Sequence, residues 1–598
     1  MVTIRLLGAP AVERDGEPVT PPRGRKAWAL LCYLLLAQRP PTRRHLADLL
    51  FAEADDPLGA LRWTLAQLRR ALGVQVFTGD PVDTALGPDV SVDIRSVLTD
   101  RIDGPALLDL GTDLLEGLEL ASNVEFESWL LVERHRVSAI VEARLRQEAL
   151  ALLAAGRPGA AVPYAAAVVA RNQLDEGNHE LLVRALAMSG DRPAAERQVA
   201  VCEDLMRREV GVEATAAVRD AAGASSASSS TLPLSGRAAA VSQLEAGRAA
   251  IVAGAVDAGL QCLRRAVAEA ARHGDAALRG RALAALGGAL VHALRGRDEE
   301  GAVVLHEAIE QANRGGDRAT AVFAHRELGF VEVQAGRRAT AEGWLTRARE
   351  LAETDEEHAA ILGVRGMNAS DMGAYETALG YLTESAERAD RAGDRRQQAW
   401  SLSLVGRAHL LRDERSQAAA ALTESLRLVH DQRWMAFLPW PQALRAELDL
   451  RGGNTATAAD GFERAWTLAS QVGDPCWEGM AARGLGILHA GRGDSAASLQ
   501  WLDAAMARCA RLPDRYQWVH GYVLDAAATA ALDRDEPARA KPLIAALAAL
   551  AARCDMRELV VRAHLHRGRL GDRTAVSAAR MLAADIDNPA LGGLLTAA

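Results

Sequence analysis

Leu382-Thr-Glu-Ser385 and Leu422-Thr-Glu-Ser425 are two copies of a tetrad whose first residue recurs at Leu263, Leu305, Leu345, Leu382, Leu422, Phe462, Leu502 and Leu543. The steps between copies are 42, 40, 37, 40, 40, 40 and 41 residues. A small residue stands 16–18 positions before each copy from the second onward: Gly287, Gly329, Gly366, Gly406, Ala446, Gly486 and Ala526. A small side chain at a fixed place lets two helices approach closely. Turn signals fall between the copies, as in His273-Gly-Asp275, Gly315-Gly-Asp317, Ala392-Gly-Asp394 and Val472-Gly-Asp474. About eight stacked helix pairs, an α-solenoid, explain period, small residue and turn together.

Outward from the repeats, the chain divides by composition. The pattern resembles tetratricopeptide repeats, stretched from their usual length of about 34 residues. Before it runs Gly223-Ala-Ser-Ser-Ala-Ser-Ser-Ser-Thr-Leu-Pro-Leu-Ser-Gly236, which has little to bury and predicts a flexible linker. A second change comes near residue 95, where short β-like pieces give way to helix. The expected divisions are 1–95, 96–221, a linker at 222–236, and repeats over 237–598. With 49% hydrophobic, 25% charged and only 4% aromatic residues, the 598-residue chain predicts a mainly α protein. No uncharged apolar run of about 18 residues occurs, so no membrane span is expected. The N-terminus shows no signal-peptide pattern, and the six cysteines are scattered, which predicts reduced thiols and a cytoplasmic location.

The net charge of -9 hides a gradient. Residues 1–95 carry 12 basic and 11 acidic side chains, and residues 96–221 carry 13 and 21. Residues 23–44 hold Arg23, Arg25, Lys26, Arg39, Arg43 and Arg44 and no acid. Local charge therefore points to nucleic acid although global charge does not. Residues 3–19 predict a short β meander turning at Asp15-Gly16. A buried helix follows from Arg25 to Ala37, a second from Arg43 capped by Thr42, and a third from Asp55-Asp56-Pro57 to Gly73. Residues 74–92 then supply a β wing.

At about 100° per residue, Leu58, Leu61, Leu65, Leu68 and Leu72 form the core stripe of the third helix. Trp63, Gln67 and Arg70, with Gly59 and Ala66, lie opposite, and Arg62 and Arg69 flank the stripe. Arg pairs bidentately with guanine and Gln with adenine, so this face suits major-groove entry. The basic groups Arg23, Arg25, Lys26, Arg43 and Arg44 stand near helix starts, where phosphates would be met. A plain solvated outer face is the competing reading of the same residues.

Four segments resemble the winged-helix domain of the Streptomyces antibiotic regulatory protein family, itself similar to the DNA-binding half of OmpR-type response regulators. They are Leu6-Leu-Gly-Ala-Pro10, Arg23-x-Arg-Lys-Ala27, Leu46-Ala-Asp-Leu-Leu50 and Leu61-Arg-x-x-Leu-x-x-Leu-Arg-Arg-x-Leu-Gly73. Phe126-x-x-Trp129-x-x-x-Glu-Arg134, His179-Glu-Leu-Leu182, Ser189-Gly-Asp-Arg-Pro-Ala-Ala195 and Arg208-Glu-Val-Gly-Val-Glu213 resemble the bacterial transcriptional activation domain that follows it in that family. The resemblance implies a transcriptional activator whose third helix, with Arg62, Trp63, Gln67, Arg69 and Arg70, reads double-stranded promoter DNA. It implies contact of residues 96–221 with RNA polymerase and its sigma factor, and pairing of two copies on direct repeats. Phe51, Gly59, Val199 and Ala214 depart from residues common in the family, Trp, Asn, Tyr and Pro. A protein-interaction scaffold whose winged helix has lost specific DNA binding is the alternative.

No enzyme motif is present. There is no G-x-x-x-x-G-K-[ST], and the two lysines, Lys26 and Lys541, follow no glycine-rich loop. His179-Glu180 and His306-Glu307 lack a second histidine four residues on. Neither cofactor nor metal is expected. Seven of the 11 tryptophans fall between residues 400 and 518. Trp434, Trp440, Trp477 and Trp518 lie in or near first helices, which line the concave side of such stacks. They make a candidate groove for a peptide, a protein or an apolar small molecule; core packing of long repeats explains the same positions.

Overall fold

The computed structural model describes residues 2–597 except 38, 74–76, 85, 88, 99–101, 103, 112, 121–122, 212, 224–235, 295 and 511–515. It is mainly helical. The serine-rich segment expected as a linker falls, over 224–235, outside the described residues. Two compact units form: residues 1–144 with 572–578, and residues 145–571 with 579–598.

The first unit carries a four-stranded sheet of β1 (Val2–Arg5), β2 (Ala11–Arg14), β3 (Glu17–Pro18) and β4 (Val90–Val92), in the order β3-β2-β1-β4. The β2–β3 turn places Asp15 and Gly16 at φ 54 and 87, as a two-residue hairpin turn twisted to match its strands requires. β4 runs parallel to β1, with Ile4 opposite Val92. Of the segment expected as a wing, 74–76, 85 and 88 lie outside the described residues; Val90–Val92 joins the N-terminal sheet, and Thr78 bridges Asp83. The Asp93 carboxylate fixes the end of β1 by accepting from the N–H groups of Leu6 and Leu7.

Three helices follow the first three strands in sequence and pack on one another: α1 (Arg25–Leu36), α2 (Arg43–Phe51) and α3 (Pro57–Leu72). α1 is buried from Ala27 to Leu36 without interruption, which explains its lack of a polar face. Thr42 Oγ1 caps α2 by accepting from His45 N at 3.2 Å, and Asp56 Oδ1 caps α3 by accepting from Gly59 N at 2.8 Å. A Cβ at residue 59 would collide with that Asp56 carboxylate, so the cap accounts for the glycine. Gly73, at φ 68, ends α3. Leu61, Leu65, Leu68 and Leu72 are buried as expected. Leu58, expected in the same stripe, is 47% exposed because it sits in the first turn, and Thr64 is buried instead.

In the second unit the helix pairs follow the period. First helices such as Arg318–Gln334, Asp355–Met372 and Arg395–Leu411 alternate with second helices Arg338–Leu351, Tyr375–Ala392 and Arg415–Asp431. The small residue and the anchor of one repeat meet each other. A methyl at Gly287 would lie 2.6 Å from Leu305 Cγ, and one at Gly329 2.7 Å from Leu345 Cδ2. Gly366, Gly406 and Gly486 face Leu382, Leu422 and Leu502 in the same way, and Gly247 faces Leu263. In the eighth repeat the anchor shifts by one: Ile544 is buried where Leu543 was expected, and Leu543 is only half-buried.

Within this unit the stack curves until distant repeats touch. Tyr516 Oη donates to Asp371 Oδ1 at 2.8 Å, and Arg338 Nε donates to the Cys554 carbonyl at 3.1 Å. The enclosed surface is a ladder of buried ion pairs. Arg407 and Arg338 hold Asp371 at 2.7 and 2.9 Å, Arg483 and Arg451 hold Glu447 at 2.8 and 2.6 Å, and Arg146 holds Glu332 at 2.9 Å. Burial alone would raise the Glu447 carboxyl; Arg483 and Arg451 outweigh it and hold the group down at about 2.

Candidate nucleic-acid interface and ligand cavity

The ten residues expected to meet DNA divide by their engagement. Arg23, Arg44, Arg62, Trp63 and Arg70 are exposed. Arg62 lies 3.6 Å from Asp56 Oδ2, Arg44 4.0 Å from Asp48 Oδ2, and Arg70 Nε 3.4 Å from the Ala66 carbonyl. Such solvated pairs are weak, so these guanidinium groups can exchange them for phosphate or base. Trp63 is 59% exposed on α3. Arg25 is also exposed and donates to the Glu119 carbonyl at 3.4 Å.

The other four are committed within the chain. Gln67, expected to face outward, is half-buried. With its amide suitably oriented, it accepts from Arg23 N at 2.8 Å and donates to the Arg23 carbonyl at 3.3 Å. The chain at Arg23 crosses that side of α3, which a helical wheel does not reveal. Arg69 donates to the Phe77 carbonyl at 2.6 Å, and Arg43 donates to the Gly79 carbonyl at 2.9 Å while its backbone N–H meets Asp80. Lys26 Nζ lies 5.7 Å from the centre of the Phe51 ring, a cation–π contact.

The motif residues after Leu98 are structural. Arg134 donates to the carbonyls of Leu114, Leu115 and Leu118 at 2.9–3.1 Å, and Trp129 packs on Tyr33 at 4.6 Å between ring centres. His179 is held between the Gln173 carbonyl and the Gln198 amide, both at 2.8 Å. Glu176 accepts from the N–H and hydroxyl of Thr215. His306 packs edge-on against Trp344, and burial pushes its pKa down to about 3. Among the described residues no cluster of His, Cys, Asp or Glu is arranged to hold a metal, and no helix is long and apolar enough to cross a membrane.

In the second unit, a cavity of about 490 Å³ opens among the first helices of several repeats. Of the four tryptophans named as a candidate groove, Trp434, Trp440 and Trp477 line it and Trp518 does not. Trp518 lies behind, stacked on Tyr522 at 4.8 Å and covered by the Arg407 guanidinium at 4.3 Å. Trp440 is 2% exposed and packs 4.9 Å from Trp477, so the set combines core packing with an aromatic wall. Sequence reading missed Phe330, Trp400, Phe437 and Tyr516, which complete that wall. Phe437 stacks on Trp434 at 4.4 Å. Tyr516 ties the wall to the ion-pair ladder through Asp371 and Arg407.

These two features, an exposed basic face and an aromatic-lined cavity, are joined in sequence by a third. Residues 103–224 match the bacterial transcriptional activator domain. The matched segment contains helices Pro158–Arg171, Glu176–Met188, Arg192–Leu205 and Ala216–Ala222. No curated protein matches the chain. Among solved structures, the chain is similar to a Rap protein complexed with Competence and Sporulation Factor. Identity is 11% over 57% of this chain and 96% of that one, with a TM-score of 0.43. It is similar to NprR in complex with its cognate peptide NprX, at 12% identity over 51% and 94% of the two chains, with a TM-score of 0.37. It is also similar to Mycobacterium tuberculosis EmbR in complex with a low-affinity phosphopeptide, at 19% identity over 37% and 64%, with a TM-score of 0.28. None of these scores reaches 0.5; the fold stands on the helix pairs of the chain itself.

Proposed function

We propose that this chain is a cytoplasmic, sequence-specific DNA-binding transcriptional activator whose repeats receive a signal or partner. The observation that carries the reading is the match of residues 103–224 to the bacterial transcriptional activator domain. The order of elements in residues 1–95, a small sheet with α1, α2 and α3, supports a winged-helix reader. In this reading α3 enters the major groove, Arg62, Trp63 and Arg70 face bases, and Arg23, Arg25 and Arg44 meet phosphates. Gln67, Arg69, Arg43 and Lys26 act indirectly, by holding the neighbouring chain in place. The segment 96–221 contacts RNA polymerase with its sigma factor, 222–236 is a linker, and 237–598 is the receiving module. Two copies bind side by side on direct repeats. No catalytic step, cofactor or metal is assigned.

The test is binding of the full chain to promoter DNA beside its own gene at two salt concentrations, with competitor DNA. Phosphate contacts make affinity fall steeply with salt, and base contacts make it depend on sequence. Arg70→Ala is expected to cost about 1–3 kcal/mol on the preferred sequence and relax one base position. Equal weakening on every sequence would reduce Arg70 to a phosphate contact. The scaffold reading has its own support: Gln67 and Arg69, two of the five candidate readers, are occupied within the chain. It wins if selection from random DNA yields no preferred site.

A further inference from the structure

The cavity's charges show which ligand it fits. Its acidic walls are already used. Glu327 is held by Arg326 and by His292, the latter at 2.7 Å. Asp394 accepts from Gln397 N at 3.0 Å, and Asp474 from Cys476 N at 2.9 Å and Trp477 N at 3.1 Å; each caps its own helix. One cation differs. Among the described residues no carboxylate lies within salt-bridge distance of Arg396, whose guanidinium stands 5.5 Å from the centre of the Trp434 ring at the cavity rim. Arg326, also on the wall, is taken by Glu327 and lies 5.8 Å from the centre of the Phe330 ring.

Positive charge already covers aromatic faces here: Arg396 lies over Trp434, and Arg407 lies 6.0 Å from the Trp440 ring centre. Arg407 is neutralised by Asp371 at 2.7 Å, which leaves Arg396 as the rim charge open to an anion beside rings on which a flat π-system can stack. A volume of about 490 Å³ falls within the roughly 300–1,000 Å³ of small-molecule sites.

We propose that this cavity binds a small planar aromatic molecule carrying one acidic group. Its ring system lies among Trp434, Trp440 and Trp477, and its anion meets Arg396. The assignment deepens the receiving role proposed for the repeats and rests on it, but not on DNA binding.

Three probes share one ring system and differ in charge: anthracene-2-carboxylate, its neutral carboxamide, and an anthracenylmethyl-trimethylammonium ion. Binding to the full chain is read by energy transfer from tryptophan. The carboxylate is expected to bind at least about tenfold more tightly than the other two. Arg396→Met, an exposed position, is expected to erase that preference and leave carboxamide binding unchanged. Trp434→Ala and Trp477→Ala should each weaken all binding about tenfold, with helicity checked by circular dichroism. Equal or tighter binding of the cation overturns the proposal, as does unchanged binding in both tryptophan variants. Tighter binding of the pentapeptide Gly-Gly-Trp-Gly-Gly than of the carboxylate also overturns it, in favour of a peptide site. Promoter binding measured without any probe separates failure of this assignment from failure of the DNA-binding reading.

Discussion

The Asp587 carboxylate accepts hydrogen bonds from the backbone N–H of Tyr375 at 3.0 Å and of its neighbour Glu376 at 2.7 Å. Residue 587 thereby caps a helix that begins 212 residues earlier. Asn588 adds a bond to the Leu411 carbonyl at 3.3 Å and one to Glu558 at 2.8 Å. The C-terminal segment closes the curved stack by satisfying donors that the helix start would otherwise leave unmet. Asp587→Ala is expected to cost about 1 kcal/mol, the usual worth of a cap. Thermal unfolding measures it; an unchanged midpoint would show that water replaces the carboxylate.

Arg407 is fully buried and donates to Asp371 at 2.7 Å and to Tyr516 at 2.5 Å. Removing one partner of a buried pair leaves the other charge without its counter-ion, which costs about 3–5 kcal/mol. Arg407→Met is therefore expected to lower stability to urea by about that amount. The residual bonds of Asp371 to Arg338 and Tyr516 set a lower limit. A loss under about 1 kcal/mol would mean those two suffice.

The repeat stack was legible because a period of about 40 residues fixes both the anchor and the small residue it touches. α3 was legible too, from Asp56 at its start to Gly73 at its end. What escaped the sequence is what depends on distant chain segments. Gln67 sits on the polar side of its helix, yet Arg23 crosses there and takes its amide. Residues 90–92, read as wing, pair with β1 at the opposite end of the segment. The tryptophan density between residues 400 and 518 pointed to the cavity, but Phe330 and Tyr516 join it only through the curvature of the stack. Trp518 fell one layer too deep for the same reason.

Glycines in the repeats have opposite expected effects according to place. Gly329 has no room for a methyl, which would meet Leu345 at 2.7 Å, so Gly329→Ala is expected to cost about 1–3 kcal/mol by overpacking. Gly343 and Gly380 lie inside second helices with nothing within 4 Å of an added Cβ. There alanine removes backbone entropy from the unfolded chain, and Gly343→Ala or Gly380→Ala should stabilise by about 0.5–1 kcal/mol. Unfolding midpoints of the three variants check this. Stabilisation at all three positions would contradict the close approach of Gly329 to Leu345.

Glu180 lies within the segment matching the activator domain and should make stability depend on pH. Burial pushes its carboxyl up from 4.5 to about 7, although Arg184 pulls the other way from 2.7 Å and Glu299 adds to the rise. Between pH 4.5 and 7 the folded chain keeps a proton that the unfolded chain has lost. Stability from this group is therefore fully present below pH 4.5 and is lost as pH rises through 7, by up to about 3 kcal/mol. Glu327 and Asp525, held down at about 2 by their basic partners, act in the opposite sense and only at acid pH, so the windows separate. Glu180→Gln keeps a neutral, hydrogen-bonding side chain at every pH. The difference in urea midpoint between wild type and Glu180→Gln should be small at pH 5 and favour the variant at pH 8. A difference that stays constant from pH 5 to 8 would place the Glu180 pKa outside this window.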